Sequence, residues 1–283
     1  MSSSQSKGFV DLSARKRVEI LLDRGSMHEL LSPFDKVTSP WLEKQGIVPQ
    51  FDDGVVVAKG TIGAKSTVIA AIEGSFQGGS LGEVGGAKIA GLLELALEEN
   101  KKGNPTAAVL LLESGGVRLQ EANLGLGAIA EIQAGIVELR TYQPVVGVIT
   151  GPVGCFGGMS IAAGLCSYLI MTREGRLGLN GPQVIEQEAG IDEYDSRNRD
   201  LIWGLTGGTQ RFATGLADVL VDDDVDAMCK AVQGCLAKGV PAHHRSDEIL
   251  GSLENLLKVD TSKQITADVA YQILTGVAKN DDK

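Results

Sequence analysis

The sequence predicts an α/β fold built from a repeated strand–strand–helix element. Short β-branched runs alternate with amphipathic stretches along most of the chain, and double glycines punctuate three or four strand-to-helix turns. With 283 residues, 43% of them apolar, the chain can bury a substantial core.

The elements follow in order. Ala14 to Asp23 reads as a short amphipathic helix, with Ser13 as N-cap and Gly25 beyond its end. It opens an N-terminal helical segment, 10–50, whose second half is linker-like and holds Pro33, Pro40 and Pro49. GVVVAKGTIGAKSTVIAAIEG (54–74) is two β-rich runs around a glycine turn, hence a hairpin. FQGGSLGEVGGAKIAGLLELALEEN (76–100) is a glycine-rich loop leading into a long helix. AAVLLLESGG (107–116) reads as strand and turn, and a helix is expected to begin at once and run over 117–140. PVVGVITGPVGCFGG (144–158) repeats the strand and turn, and MSIAAGLCSYLIM (159–171) is a helix entering another strand. GRLGLNGPQVIEQEAG (175–190) gives a short strand and a helix with Pro182 in its first turn. Asp224 caps a more polar helical region, 225–283.

Composition excludes several functions. The net charge of -10 and 4% aromatic content leave neither a basic stripe nor stacking platforms for nucleic acid. Cys155, Cys166, Cys229 and Cys235 form no C-x-x-C pair, so neither a zinc ribbon nor a disulfide framework is expected. Arg140 to Arg173 encloses no charged residue, yet six glycines and two prolines break the run, which argues for buried strand, turn and helix over a membrane span. MSSSQSKGFVDLSARKR lacks the apolar core of a signal peptide, so the cytoplasm is the expected compartment.

Two motifs mislead. Gly78-Gly79-Ser80-Leu81-Gly82 satisfies G-x-S-x-G, but a triad needs a histidine, and the only three, His28, His243 and His244, lie far from it in sequence. Gly125-x-Gly127-x-x-Ala130 mimics a dinucleotide fingerprint inside a helical pattern, where its strand context is missing. Cys155, within a glycine-rich turn, is read either as a small buried hydrophobe or as a reactive thiol.

A glycine pair after a strand also admits a ligand close to the backbone, and a helix N-terminus offers unpaired N–H groups to an anion. The bland alternative is a tight packing turn. Four stretches bear on the choice. ARKRVEILLDRGSMHEL, GGSLGEVGGAKI, ESGGVRLQE and GPVGCFGGMSIAAG, in this order, resemble segments of the carboxyltransferase subunits of acyl-CoA carboxylases, members of the crotonase-like superfamily. GPQVIEQEAGIDEYDSRNRDLIWGLTGG is similar to the biotin-independent branch, the malonate decarboxylase β-subunits.

The resemblance implies a spiral of repeated strand–strand–helix elements, with residues 1–283 forming a single crotonase-like domain, and decarboxylation of a malonyl thioester through an enolate. It implies a homologous γ-subunit, an acyl carrier protein (δ) bearing a phosphoribosyl-dephospho-CoA arm, an α-subunit acyl transferase, and neither biotin nor metal. By position, Gly115, Gly116, Gly157, Gly158 and Met159 match the family's oxyanion amides, and Gln77, Gly78, Gly79, Ser80, Leu81 and Gly82 match its thioester-arm loop. Cys155 and Phe156 stand where the family turn is shorter, and are assigned to the substrate site. Arg118 is the nearest cation for the arm's phosphates, while Arg15, Lys16 and Arg17 fit a solvated helix face better. The enolate's proton is left to water, the γ-subunit or Cys155. A biotin-dependent carboxyltransferase, a non-catalytic subunit and a serine hydrolase are the competing functions.

Overall fold

The computed structural model describes residues 8–260, 262 and 265–276. Helix α1 (Ala14–Leu21) starts at Ser13, whose side chain accepts from the Lys16 N–H. After it, β1 (His28–Leu30) leads into an irregular stretch with two single 3-10 turns, so little of the segment 31–50 is helical. Strands β2 (Val55–Ile62) and β3 (Lys65–Ile72) form the expected hairpin, with Ile62 opposite Lys65. Gly63 and Ala64 both take positive φ, 56° and 64°, as a two-residue hairpin turn requires. Asp23 secures this turn by accepting from both of their N–H groups at 3.0 and 2.8 Å.

The next elements run β4 (Ser80–Leu81), α2 (Glu83–Lys101), β5 (Ala107–Leu111), β6 (Gly116–Val117), α3 (Asn123–Leu139), β7 (Val145–Ile149), α4 (Gly158–Leu165) and β8 (Tyr168–Thr172). Then come α5 (Pro182–Ala189), α6 (Arg199–Thr206), α7 (Gly208–Ala213), β9 (Val219–Val221), α8 (Val225–Lys238), α9 (Ile249–Leu256) and α10 (Ala267–Thr275). A long strand, a short strand and a helix thus recur as β3–β4–α2 and β5–β6–α3. In the third unit isolated bridges from Cys155 to Ser114 and to Leu177 stand where the short strand would be.

The main sheet has the order β1-β2-β3-β5-β7-β8-β9, antiparallel through β3 and parallel thereafter. β4 and β6 pair in a second sheet. Strands β5, β7 and β8 are buried along their whole length, because helices cover both faces of the parallel part. One core joins α2, α3 and α4 to the sheet through Ile89, Leu93, Ile132, Ile136 and Met159. The other joins α1 and α8 through Val18, Leu21, Met228 and Val232. Much of the uncharged run 141–172 is thus buried, as β7, β8 and the inner face of α4, and no helix among the described residues is long and apolar enough to cross a membrane.

Three elements differ from the sequence reading. The helix expected from 117 begins at Asn123, because Val117 pairs with Leu81 and the Arg118 N–H donates to the Leu81 carbonyl at 2.8 Å. The strand expected near 176 is reduced to bridges at Arg176 and Leu177. Helix α6, which Asn198 caps by accepting from the Leu201 N–H, went unread among polar residues. The C-terminal region forms α8, α9 and α10, and its residues 261, 263, 264 and 277–283 lie outside the described residues.

Candidate functional site

β5 and β7 are parallel neighbours, with Leu110 opposite Gly147, so the turns at their carboxyl ends lie side by side. This edge is where open α/β sheets bind ligands. The Ser114 N–H donates to the Gly154 carbonyl at 2.8 Å, and the Phe156 N–H returns to the Ser114 carbonyl at 2.9 Å. The two glycine turns touch through bare backbone. A Cβ at Gly116 would lie 3.4 Å from the Gly157 Cα, and one at Gly157 only 3.2 Å from the Gly116 Cα. Both residues have positive φ, 103° and 60°, which glycine alone adopts freely.

A third loop joins them. Gln77, Gly78 and Gly79 take φ of 49°, 64° and 66°, a left-handed run in which a Cβ at Gly79 would lie 1.9 Å from the Glu113 carbonyl oxygen. The Gly115 N–H donates to the Gly78 carbonyl at 2.9 Å and ties this loop to the first glycine turn. Gln77, Gly78, Ser80, Gly115 and Arg118 line a cavity of about 640 Å³, walled on its far side by residues of the segment 39–53. Leu81 and Gly82 contribute less directly. Leu81 is a fully buried core residue, and Gly82 is the N-cap of α2 with the Glu121 carboxylate packed where a Cβ would stand.

The backbone donors divide sharply. Gly115 gives its N–H to Gly78, Gly116 gives its own to the Ser114 Oγ at 3.1 Å, and Gly157 gives its own to the Leu179 carbonyl at 2.7 Å. Gly158 and Met159 open α4, and their N–H groups have no acceptor among the described residues. First-turn amides of this kind carry a partial positive charge. Gly158 is half-buried, and the Gln133 side chain holds its carbonyl at 2.9 Å, so this peptide is fixed in place. Gly157, Gly158 and Met159 do not line the cavity, whereas Gly115 does.

The side chains narrow the chemistry. Cys155 is fully buried in the core, and burial pushes its thiol well above the usual range. Phe156 is buried as well, under the Arg176 guanidinium. Arg118 is committed to protein acceptors: Ser80 Oγ at 3.3 Å, the Ser80 and Asp53 carbonyls at 2.8 and 3.1 Å, and Glu121 at 3.1 Å. It clasps the cavity wall and has no unoccupied fork for a phosphate.

Arg15 pairs with Glu29 and Lys16 with Glu19 on the surface, but Arg17 is 5% exposed and pairs with Glu113, so the expected solvated face ends before it. Among the described residues no group of three or more His, Cys, Asp or Glu side chains could hold a metal. His28 and His243 are exposed, and His244 caps a 3-10 turn beside Ser246.

Two buried ion pairs escaped the sequence reading. Lys88 meets Asp53 at 3.1 Å behind the cavity, where burial raises the Asp53 carboxyl and Lys88 opposes that rise. Glu113 meets Arg17 at 3.1 Å beneath the glycine turns, with burial again raising the carboxyl against the pull of Arg17. The available signal for Glu113 was an acid ending an apolar run, one residue short of a glycine pair.

Residues 10–265 match the carboxyl transferase domain family. The Malonomonas rubra protein named malonyl-S-ACP:biotin-protein carboxyltransferase MADC is 40% identical over 244 residues, spanning 83% of this chain and 77% of that relative. A chain of the Pseudomonas malonate decarboxylase hetero-tetramer, solved in complex with malonate, is 64% identical with a TM-score of 0.91, covering 95% of this chain and 98% of its own. A chain of the Pseudomonas MdcD-MdcE hetero-dimer is 59% identical with a TM-score of 0.76, covering 88% and 96%. The chain belongs to the carboxyl transferase domain family, in its malonate decarboxylase branch.

Proposed function

We propose that this chain, with a homologous γ-subunit, decarboxylates a malonyl thioester on an acyl carrier protein to the acetyl thioester and carbon dioxide. Breaking the bond to the carboxylate leaves an electron pair on the α-carbon, which moves onto the thioester oxygen as an enolate. That step needs donors aimed at an oxyanion, and each such donor is typically worth about 10²–10³ in rate. The observation that carries the reading is the unengaged amide of half-buried Gly158, at the start of α4 and beside the contact of Gly116 with Gly157, followed by the unengaged amide of the fully buried Met159. Gly115, Gly116 and Gly157 then shape the floor on which the thioester lies. A proton on the α-carbon completes the acetyl group. Water or the γ-subunit supplies it, since the Cys155 thiol is sealed in the core.

The element order supports a crotonase-like spiral forming a single functional unit over 1–283, and the cavity at Gln77–Ser80 suits the end of a long phosphopantetheine-type arm. Leu126, Ile161, Leu179 and Val184 are 46–61% exposed on α3, α4, α5 and the loop at 179, an apolar surface suited to a homologous subunit. The carrier delivers a phosphoribosyl-dephospho-CoA arm, an α-subunit transferase exchanges the acyl group, and the complex works in the cytoplasm without biotin or metal.

The second reading, a carboxyltransferase passing the carboxyl group to a biotin protein, is favoured by the name of the Malonomonas rubra relative, but the Pseudomonas chains are the more similar. Carbon dioxide release from malonyl-carrier by the purified native complex, with a streptavidin blot of the same sample, separates them. Release without a biotinylated band supports decarboxylation, while dependence of turnover on such a band supports transfer.

A further inference from the structure

We infer that the buried Arg17–Glu113 ion pair is a positioning pair, which sets the turn before α4 against the two other turns at the carboxyl edge of the sheet. Glu113 reaches all three. Its carbonyl is the atom that excludes a Cβ from Gly79 in the left-handed loop. Its own residue opens the Ser114-Gly115-Gly116 turn. Its carboxylate fills the space beside Gly151, where a Cβ would lie 1.5 Å from Oε1, and beside Gly74, where one would lie 3.2 Å from Oε2. Val153, also at this carboxylate, belongs to the stretch that runs through Gly154 and Phe156 into α4.

Arg17 brings α1 to the same point. Its guanidinium donates to Glu113 Oε2 at 3.1 Å, to the Phe9 carbonyl at 3.1 Å and to the Val10 carbonyl at 2.6 Å. The pair's side chains are only 7% and 6% exposed. Desolvating two charges is a poor way to gain stability, and apolar side chains of similar volume would serve the core as well or better. What the pair supplies is direction. A charge-assisted bond holds the carboxylate in the space that Gly151 and Gly74 leave open, and so sets the height of the β7–α4 turn relative to Gly115 and Gly116.

This inference rests on the α4 amides acting as the donors. Its test uses the native complex carrying Arg17→Met, Glu113→Gln or both, with kcat and KM measured per assembled complex. Each single variant should lower kcat on the order of 10–100-fold with KM for the malonyl-carrier unchanged, as displaced donors would. The double variant buries no unpaired charge and should lose no more than either single. Should the singles fail to assemble, the double variant decides alone, with a lowered kcat expected. Wild-type kcat in assembled variants, or single losses that multiply in the double, would overturn the pairing. Failure of the wild-type complex to release carbon dioxide would instead refute the function on which the inference rests.

Discussion

The two glycine turns look alike in sequence and differ in what their backbones leave open. Gly115-Gly116 enters a two-residue strand, and each of its amides is spent inside the protein, on the Gly78 carbonyl and on the Ser114 Oγ. Gly157-Gly158 enters a helix, and the amides of Gly158 and Met159 remain unspent. The difference lies in the element that follows. The Gly78 carbonyl and the Ser114 hydroxyl take up the amides of the first pair, whereas the first turn of a helix has no internal acceptor to offer. A glycine pair is therefore informative about ligand binding only once its successor is known.

That contrast orders the expected effects. Gly158→Val should reduce turnover by at least about two orders of magnitude in the native complex, by crowding the donors themselves. Its side chain also meets Ile129, whose Cγ2 would lie 2.8 Å from a Cβ, so circular dichroism and assembly must be followed alongside. Gly116→Ala should cost less, about tenfold, because it forces an alanine into positive φ and nudges Gly157 without touching a donor. Equal losses in the two variants would erase the distinction between the turns.

Charge removal at the cavity wall should be read in stability. Arg118→Met breaks a pair with Glu121 whose side chains are 12% and 3% exposed, and should lower unfolding free energy by about 3 kcal/mol, with a smaller change in KM. A raised KM at unchanged melting temperature would return Arg118 to the phosphate-binding role its position first suggested. The smallest effect is expected at Cys155. Cys155→Ala should destabilise by about 1 kcal/mol and leave kcat unchanged across pH, because the thiol is sealed in the core. A lost acid limb in the pH profile would make it the proton donor after all.

Much of this was legible in the sequence because it rests on local rules. The hairpin at 62–65, the caps Ser13 and Asp224, Pro182 opening α5, and the continuous apolar runs of β5, β7 and β8 all follow from short-range chemistry. What was hidden depends on partners distant in the chain. Val117 is strand because Leu81 pairs with it, and Arg118 is a clasp because Asp53 and Ser80 supply carbonyls. Arg17 is buried because Glu113, 96 residues away, meets it. Spacing along the chain carries no signal for such pairs. Nor could a pattern of glycines say which amides would be consumed, since Gly78 and Leu179 are the acceptors that decide it.

The central claim is that the α4 amides, and not a side chain, stabilise the enolate. Gly158→Pro compared with Gly158→Ala in the native complex tests it most directly. Both variants place a Cβ against Ile129, and proline is tolerated at the first position of a helix, but only proline lacks the N–H. Carbon dioxide release from malonyl-carrier should fall about 10²–10³-fold further for proline than for alanine, with both complexes assembled. Equal rates for the two variants would show that the Gly158 amide is not a donor and would contradict the account.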